Sequence, residues 1–593
     1  MIEYRAPTRD MAFTLQQVAG FSEMAKACGY EEASDDVVAA ILQEAAKFSS
    51  SVIAPINAAG DQSGVHLEPD HSVITPDGFA EAYQQYADSG WASLQFDPKF
   101  GGQGLPFSLA IPVQEMWHAA NMAWGLCPLL SQGAVEALSE NASDALKQKL
   151  LPKMISGRWT GTMNLTEPQS GSDLSDIRTK AWQDGDVYRI KGQKIFITWG
   201  EHNMAENIIH LVLARLPDAP PGVKGISLFA VPKYLPDVSG EPGERNDCRA
   251  VSLEHKLGIH ASPTCVMSYG DNEGAIGYLV GEENQGLACM FTMMNNARLT
   301  VGLQGVSISE RAYQQARDYA FERTQGTAPG EHPGVSPIIR HPDVRRMLMT
   351  MKALTEAARG LAYTGCVAVD YANTLHLPDG ARERYQRRAD LLTPLVKGWC
   401  TEIAQEVTSL GIQVYGGMGF IEETGIAQHY RDARILPIYE GTNGIQALDL
   451  VGRKIIRNQG KAMAELIDDM RQLTVPVQRT SSLTAERQAR FDQAVAFLED
   501  ATGIVLDRGN DDQFTGSVAH NYLMLSATVT AAWLMLKSTT AAAKQSIDED
   551  SYAASKLATT NFFFDHILPR SSAYVTALRS GDDAIMALPE IDF

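Results

Sequence analysis

The spacing of apolar and polar residues divides the chain into helical and β-rich regions. From Met11 to about Ile155, apolar residues recur with helical spacing, interrupted by the glycine-rich loop Phe100 to Pro106. From about Thr160 to Val280, short β-rich runs replace this pattern. We therefore predict an N-terminal helical domain over residues 1–159 and a middle β domain over residues 160–281.

The β-rich region contains several short runs separated by turn-forming dipeptides. The runs are Val187 to Ile190, Lys194 to Thr198, Asn207 to Arg215 and Gly225 to Val231. Asp184-Gly185 and Gly192-Gln193 are typical turn sequences, so they predict chain reversals beside these runs. Thr198 is then expected where a strand ends.

Helical periodicity returns after the β region. Apolar residues at spacings of three and four lie on one helix face at Val396, Trp399, Ile403, Val407 and Leu410. This pattern predicts a helical bundle domain over residues 282–461. The polar stretch Thr474 to Thr484 has the composition of a linker, and a further helical block follows it.

We therefore predict a fold of the α+β class, mainly α, with an appended helical domain over residues 462–593. Within that domain, the apolar stretch Tyr522 to Leu536 is too short for a membrane span and is interpreted as a buried helix. The sequence contains no repeat of fixed period, so a solenoid is not expected.

Composition excludes several classes of protein. The 593 residues are 45% hydrophobic and 20% charged, which is ordinary for a chain that buries large cores. The net charge of -21 argues against binding to nucleic acid, because that affinity depends on clustered Lys and Arg. The N-terminus, MIEYRAPTRDMAF, has charges where a secretion signal is apolar. We expect no nucleic acid partner and no integral membrane association.

The cysteines favour a reducing compartment. The seven are scattered, and none forms a C-x-x-C pair, so neither a disulfide framework nor a cysteine metal site is supported. The histidines fit no metal-ligand spacing either. We therefore expect a cytoplasmic protein without a metal site.

A segment rich in hydroxyl groups and small residues opens the β region. Residues 165–173 read LTEPQSGSD, a composition that allows close approach of the backbone to a flat polar ring or a pyrophosphate. The alternative is an ordinary surface turn. From these letters alone, the surface turn is favoured.

Two further loops follow predicted helices. Residues 415–420 read YGGMGF, and residues 439–444 read YEGTNG. Neither matches a Rossmann or P-loop fingerprint, so these nucleotide-binding sites are not indicated. Glu440 follows an apolar run, where a raised pKa would make it a usable base. A carboxylate before a helix more often interacts with the helix dipole, and the sequence alone favours that role.

Taken together, five ordered motifs closely resemble the acyl-CoA dehydrogenase family. They are TEPQSGSD at 166–173, KIFITWG at 194–200, ERTQG at 322–326, QVYGGMGF at 413–420 and YEGT at 439–442. The extra C-terminal helices resemble an enlarged bacterial branch. Members of that branch act on fatty acyl-CoA thioesters in β-oxidation or on 3-methylmercaptopropionyl-CoA in dimethylsulfoniopropionate catabolism.

The resemblance implies a bound FAD. The residues implied to bind it are Met163, Leu165, Thr166, Ser172, Phe196, Thr198, Arg323, Gln325, Gln413, Gly417, Thr442 and Gly444. Arg323, Gln325, Gln413 and Gly417 correspond to residues that the family offers to the FAD of a partner subunit. The resemblance thus implies a homodimer.

The resemblance also implies the chemistry. Glu440 matches the family base, which removes the α-hydrogen of an acyl-CoA while the β-hydrogen leaves as hydride to flavin N5, giving a trans-2-enoyl-CoA. Ser172, Arg298, Tyr439 and Gly441 are the implied substrate contacts. Electron-transfer flavoprotein is the implied electron acceptor.

Three alternatives share this scaffold. An acyl-CoA oxidase would pass electrons to oxygen, a distinction that no motif makes. A non-catalytic flavoprotein is disfavoured by Glu440 and by the net charge of -21. A nitroalkane oxidase would use aspartate as its base. Acyl chain length cannot be read from the sequence.

Overall fold

The computed structural model describes residues 3–473, 485–544 and 551–593, and the predicted linker Thr474 to Thr484 lies outside them. The chain forms two compact units. The helical unit comprises Met1–Ala46, Pro106–Glu115 and Arg298–Phe593, and the β unit comprises Lys47–Leu105 and Met116–Ala297. Helices together with a β-sheet confirm the α+β, mainly α class. The division into four domains stays a prediction from the sequence.

The helices before the sheet are short or of medium length. They are α1 Thr8–Phe13, α2 Phe21–Ala27, α3 Asp35–Phe48, α4 Asn57–Ser63, α5 Phe79–Asp88, α6 Phe107–Ala120, α7 Met122–Asn141 and α8 Asp144–Ile155. Two short strands, β1 His66–Leu67 and β2 Val73–Ile74, form an antiparallel pair between α4 and α5 that the helical pattern did not predict.

The β unit is built on an eight-stranded sheet. Its strands are β3 Trp159–Asn164, β4 Lys180–Asp184, β5 Val187–Thr198, β6 Asn207–Arg215, β7 Ile226–Pro232, β10 Cys248–Leu253, β11 Thr264–Tyr269 and β12 Ala275–Val280, with the small pair β8 Tyr234–Pro236 and β9 Pro242–Arg245 beside it. The strand order is β10-β11-β5-β12-β7-β6-β3, and β4 pairs with β5 and β6. Apolar residues of α7 and α8 pack on β3, β6 and β7 to form one core.

One predicted turn is wrong. Gly192-Gln193 lies inside β5, which runs without a break from Val187 to Thr198. Gly192 serves close packing there, because a Cβ at this position would lie 2.4 Å from Oγ1 of Thr179. A glycine inside a strand therefore marks close backbone approach and not a reversal. The predicted turn at Asp184-Gly185 does separate β4 from β5.

The helical unit continues with long helices. They are α9 Gly286–Glu322, which begins in the β unit, α10 Pro342–Asn373, α11 Asp379–Tyr415, α12 Ile426–Ala433, α13 Asn443–Asp449, α14 Lys461–Gln472, α15 Ala485–Asp507, α16 Asp512–Lys544, α17 Ser551–Phe562 and α18 Arg570–Arg579. Helices α10 and α11 pack along one another as the centre of the bundle. The predicted apolar face of α11 is inward, with Val396, Trp399, Ile403 and Val407 buried.

The appended helices pack on the bundle. Helix α16 contacts α10, α11 and α13, and every residue from Tyr522 to Leu536 is buried. The prediction of a buried helix is therefore confirmed. Ser526 donates to the carbonyl oxygen of Tyr522 at 2.7 Å, so that a hydroxyl inside this stretch is satisfied by its own helix.

A buried ionic network joins α1, the bundle and an appended helix. Arg359 of α10 is 1% exposed and pairs with Asp10 of α1 at 2.7 Å, Glu115 of α6 at 2.7 Å and Glu310 of α9 at 2.8 Å. Lys556 of α17 also pairs with Asp10. Because Asp10 contacts both cations, the appended helix and the bundle share one carboxylate.

One helical stretch within the described ranges, Asp35–Ser63, has the length and mean hydropathy, 1.3, of a membrane span. It consists of α3, two short helical turns and α4, and it contains Pro55. Length and composition are the sole basis for this match, and helices of globular cores satisfy the same test.

Candidate active site

Glu440 lies in a strained turn before α13. Its φ of 56° is in the left-handed region, and Gly441 follows with a φ of 79°. A non-glycine residue in this region is uncommon and requires support from its surroundings. Thr442 then caps α13, because its Oγ1 accepts a hydrogen bond from the Ile445 amide at 3.3 Å.

Side chains on both sides hold this turn. Gln446 of α13 donates through Nε2 to the carbonyl oxygens of Glu440 at 3.3 Å and Gly441 at 3.1 Å. On the other side, the hydroxyl of Tyr439 donates to Oε1 of Gln304 on α9 at 2.5 Å. The backbone conformation that presents the Glu440 carboxylate is therefore fixed by α9 and α13 together.

The electrostatic setting of Glu440 is suited to a base. Burial raises the pKa of its carboxyl above the ordinary value, and the positive charges of Arg298 and Lys397 oppose that rise. A carboxylate whose pKa is raised is a stronger proton acceptor when ionised, and nearby cations keep it ionised. This setting is compatible with the role of Glu440 as a base, which stays a prediction.

Arg298 lies beside the same turn. Its side chain is buried, and Nη1 is 4.0 Å from Oδ2 of Asp449 on α13. A Cβ built on Gly441 would lie 3.8 Å from Nη2 of Arg298. The structure therefore brings together Glu440, Arg298, Tyr439 and Gly441, four of the residues predicted from the sequence.

The ends of α9 and α11 form a second predicted group. The rings of Tyr319 on α9 and Tyr415 on α11 stack with centroids 3.8 Å apart, which places the two helix ends side by side. Beyond them, Arg323, Gln325, Gln413 and Gly417 are all exposed. Arg323 donates through Nη2 to Oε1 of Gln325 at 3.3 Å. These residues are accessible, as contacts to a partner's cofactor require.

In the β unit, a buried ion pair anchors the TEPQSGSD segment. Lys194 of β5 donates to Oε1 of Glu167 at 2.8 Å, and both side chains are almost fully buried. Glu167 also accepts from the Thr179 hydroxyl at 2.6 Å and from the Arg178 amide at 2.6 Å. Burial alone would raise the pKa of Glu167, but Lys194 and these hydrogen bonds lower it to about 2. Glu167 is therefore a structural residue within the motif.

The remaining predicted residues of the β unit lie near this anchor. The Ile195 amide donates to the carbonyl oxygen of Thr166 at 2.9 Å, which joins the segment to β5. Phe196 of β5 has a φ of 59° and a ring that is 59% exposed. Met163, Leu165 and Thr198 are partly buried, whereas Ser172 is exposed. Ser172 belongs to the β unit, and Glu440 belongs to the helical unit.

Sequence reasoning missed Lys397, Asn443 and Gln446, which surround the Glu440 turn. The sequence carried no signal for Lys397, because it directly follows Val396 and therefore lies off the apolar face of α11. A lysine at such a position is usually exposed, and its burial comes from the helices that pack on this side of α11. Nothing in the sequence identified Asn443 as its partner.

Comparison with known proteins identifies the family. Models described as acyl-CoA dehydrogenase N-terminal, middle and C-terminal domains match residues 36–158, 162–271 and 284–456. A model described as acetyl-CoA dehydrogenase C-terminal like matches residues 461–589. The chain belongs to the acyl-CoA dehydrogenase family, and the resemblance inferred from its motifs is confirmed.

Individual relatives include members of the same extended length. The chain is 46% identical to 3-methylmercaptopropionyl-CoA dehydrogenase of Ruegeria pomeroyi, over 98% of this chain and 99% of that protein. It is 34% identical to the broad-specificity linear acyl-CoA dehydrogenase FadE5 of Mycobacterium tuberculosis, over 100% of both. The similarity to both relatives therefore extends over the C-terminal region of the chain.

Solved structures show the same fold. Caenorhabditis elegans ACDH-11 in complex with C11-CoA has a TM-score of 0.76 at 21% identity, covering 95% of this chain and 92% of that one. An acyl-CoA dehydrogenase complexed with FAD from Bacillus anthracis has a TM-score of 0.73 at 22% identity, covering 92% and 89%.

Proposed function

We propose that the protein oxidises 3-methylmercaptopropionyl-CoA, or a short linear acyl-CoA of similar length, to the trans-2-enoyl thioester. As an acyl-CoA dehydrogenase, the enzyme is an oxidoreductase that acts on a CH–CH group. The observation that supports the site is the Glu440 turn, in which burial raises the pKa of a carboxylate beside Arg298 and Lys397. The relative that acts on 3-methylmercaptopropionyl-CoA, 46% identical, supports the substrate.

Glu440 is the base in this proposal. Its carboxylate takes the proton from the α-carbon of the thioester, and its backbone N–H donates to the thioester oxygen, on which negative charge develops. Gln446 and Tyr439 hold the turn so that the side chain and the N–H group keep one arrangement. Tyr439, Gly441 and Arg298, with Ser172 of the β unit, are the proposed substrate contacts.

The residues fit a flat cofactor such as FAD. The exposed aromatic ring of Phe196, two residues before Thr198 on the same strand, suits a flat ring. At Gly171 the space is open, because a Cβ built there would meet only the Thr166 methyl group, at 3.6 Å. When bound, FAD supplies at N5 the acceptor for the hydride that leaves the β-carbon. The proposed contacts in the β unit are Met163, Leu165, Thr166, Ser172, Phe196 and Thr198.

The helical unit supplies the remaining proposed contacts. Thr442 and Gly444 are assigned to the FAD of the same subunit, and the exposed residues Arg323, Gln325, Gln413 and Gly417 to that of a partner subunit. This assignment implies a homodimer. Electron-transfer flavoprotein is the proposed electron acceptor. The seven cysteines are buried thiols outside any disulfide, which supports a reducing compartment, and we propose the cytoplasm.

Anaerobic bleaching of the flavin with a panel of acyl-CoA thioesters tests this function. We expect 3-methylmercaptopropionyl-CoA and butyryl-CoA to bleach the wild type, and Glu440→Gln to retain the yellow colour while bleaching is at least about a hundredfold slower. Glu423→Gln makes the same change at an exposed carboxylate and serves as the control. Rapid bleaching of Glu440→Gln would contradict the base, and bleaching by long-chain thioesters alone would contradict the substrate.

A further inference from the structure

Lys397 is a fully buried lysine in the middle of α11. Its side chain is 0% exposed, and Nζ donates to Oδ1 of Asn443 at 2.9 Å. Burying an ammonium group is costly unless other groups compensate its charge. A neutral amide compensates only part of that cost, so a negative charge is expected nearby.

Asn443 connects Lys397 to the catalytic turn. It is the first residue of α13, three positions after Glu440, and its backbone N–H donates to the carbonyl oxygen of Pro437 at 3.0 Å. Its side-chain Nδ2 donates to Oγ1 of Thr401 and to Oε1 of Glu402, both at 2.9 Å. Asn443 thus attaches both ends of the Glu440 turn to α11.

Glu440 is the carboxylate whose charge acts most strongly on Lys397. Burial lowers the pKa of Lys397 to about 7, and the charge of Glu440 opposes that fall more strongly than the charge of Glu402. Arg298 on α9 is the other cation that acts on both groups. Helix α16 presents an apolar side chain, Leu523, to the residue after Lys397. A Cβ built on Gly398 would lie 2.7 Å from Leu523.

We propose that Lys397 is a positioning residue for the base: it holds the Glu440 turn through Asn443, and its charge keeps the Glu440 carboxylate ionised inside the protein. Lys397 itself takes no proton from substrate. The proposal rests on the proposed function, because it assigns a role relative to Glu440 as the base. It predicts that loss of the charge raises the pH at which the base becomes active.

Exchange of the α-hydrogens of a 3-thia acyl-CoA in D₂O isolates the action of the base. The third position of this thioester is sulfur and carries no hydrogen, so proton removal is observed by NMR without oxidation. We compare FAD-loaded wild type, Lys397→Met and Lys397→Gln across pH. The glutamine of Lys397→Gln still carries an N–H group that can donate a hydrogen bond to Asn443, but it has no charge.

Both Lys397 variants should show the rising limb of the exchange profile shifted upward by about one pH unit, because removal of a nearby positive charge raises the pKa of a carboxyl group. Thr401→Val is the matched control: it removes a hydrogen bond to the same Asn443 without changing the charge. We expect its profile to keep the wild-type midpoint.

Three outcomes separate the hypotheses. Wild-type midpoints in Lys397→Gln and Lys397→Met would overturn the proposal for Lys397, and so would an equal shift in Thr401→Val, since the effect would then be structural. Exchange at the wild-type rate in Glu440→Gln would instead overturn the proposed function. Circular dichroism and bound FAD verify folding, and if Lys397→Met does not fold, Lys397→Gln decides the question.

Discussion

Gly305 of α9 lies directly against the backbone of Cys400 in α11. A Cβ on Gly305 would lie 2.3 Å from the carbonyl oxygen of Cys400, and one on Gly302 would lie 2.7 Å from that of Val396. These two contacts flank Lys397 in sequence on α11. The close crossing of α9 and α11 therefore defines the position of the helix that carries Lys397 relative to the helix that carries Arg298.

We predict that Gly305→Ala destabilises the protein by about 1–3 kcal/mol, because the methyl group must push two backbones apart. Gly503→Ala, on α15 with open space within 4 Å, is the control. It should be neutral or stabilising by up to about 1 kcal/mol, as alanine favours helix more than glycine does. Thermal unfolding of the FAD-loaded proteins measures the difference. Equal melting temperatures for the two variants would show that the crossing tolerates a side chain.

Removal of Lys194 should unfold the β unit more readily. Lys194→Met leaves Glu167 buried without its counter-ion, at an expected cost of about 3–5 kcal/mol. The double variant Glu167→Gln with Lys194→Met removes the uncompensated charge and should regain part of that loss. Denaturant unfolding compares the three proteins. No recovery in the double variant would mean that packing, and not the ion pair, governs stability at this position.

The same carboxylate predicts a pH dependence. The pKa of Glu167 falls from an ordinary 4.5 to about 2 in the folded protein, so ionised Glu167 stabilises the fold above pH 4.5. This contribution is lost as the pH falls from 4.5 towards 2. The stability difference between wild type and Glu167→Gln should therefore shrink over that range, as measured by denaturant unfolding. A constant difference would contradict the lowered pKa.

Arg323→Ala should weaken FAD retention and dimer stability together, because the exposed Arg323 is assigned to the cofactor of a partner subunit. Arg579→Ala, an exposed arginine of the appended region paired with Asp500, is the control. Light scattering and the flavin absorbance of gel-filtered protein provide the two measurements. A flavin-saturated dimer in Arg323→Ala would contradict the assignment.

Helix α16 covers the bundle face formed by α10 and α11, so we expect the full chain to be a dimer and not a tetramer. Truncation at about Ala462 removes this cover and exposes apolar surface, which should cause aggregation or tetramer formation. Light scattering on both forms tests this expectation. A full-length tetramer, or a truncated chain that stays a dimer, would contradict it.

The local pattern of apolar residues was sufficient to predict an element whose structure depends on its own segment alone. The strand Asn207 to Arg215 was predicted with its observed ends, because a short apolar run rich in branched residues is typical of a buried strand. The buried Tyr522 to Leu536 helix followed from composition. At Gly192 the pattern was misleading, since the requirement for glycine comes from Thr179, a residue of another segment.

The sequence by itself determined the order of helical and β-rich regions, the family through its ordered motifs, and Glu440 as the residue that matches the family base. Tertiary structure decided what surrounds Glu440. Lys397 and Asn443 are 46 residues apart in the chain, and their contact depends on how α11 and α13 pack. A charge acts through space over a few ångströms, so the groups that set the pKa of Glu440 are defined by folding and not by their spacing in sequence.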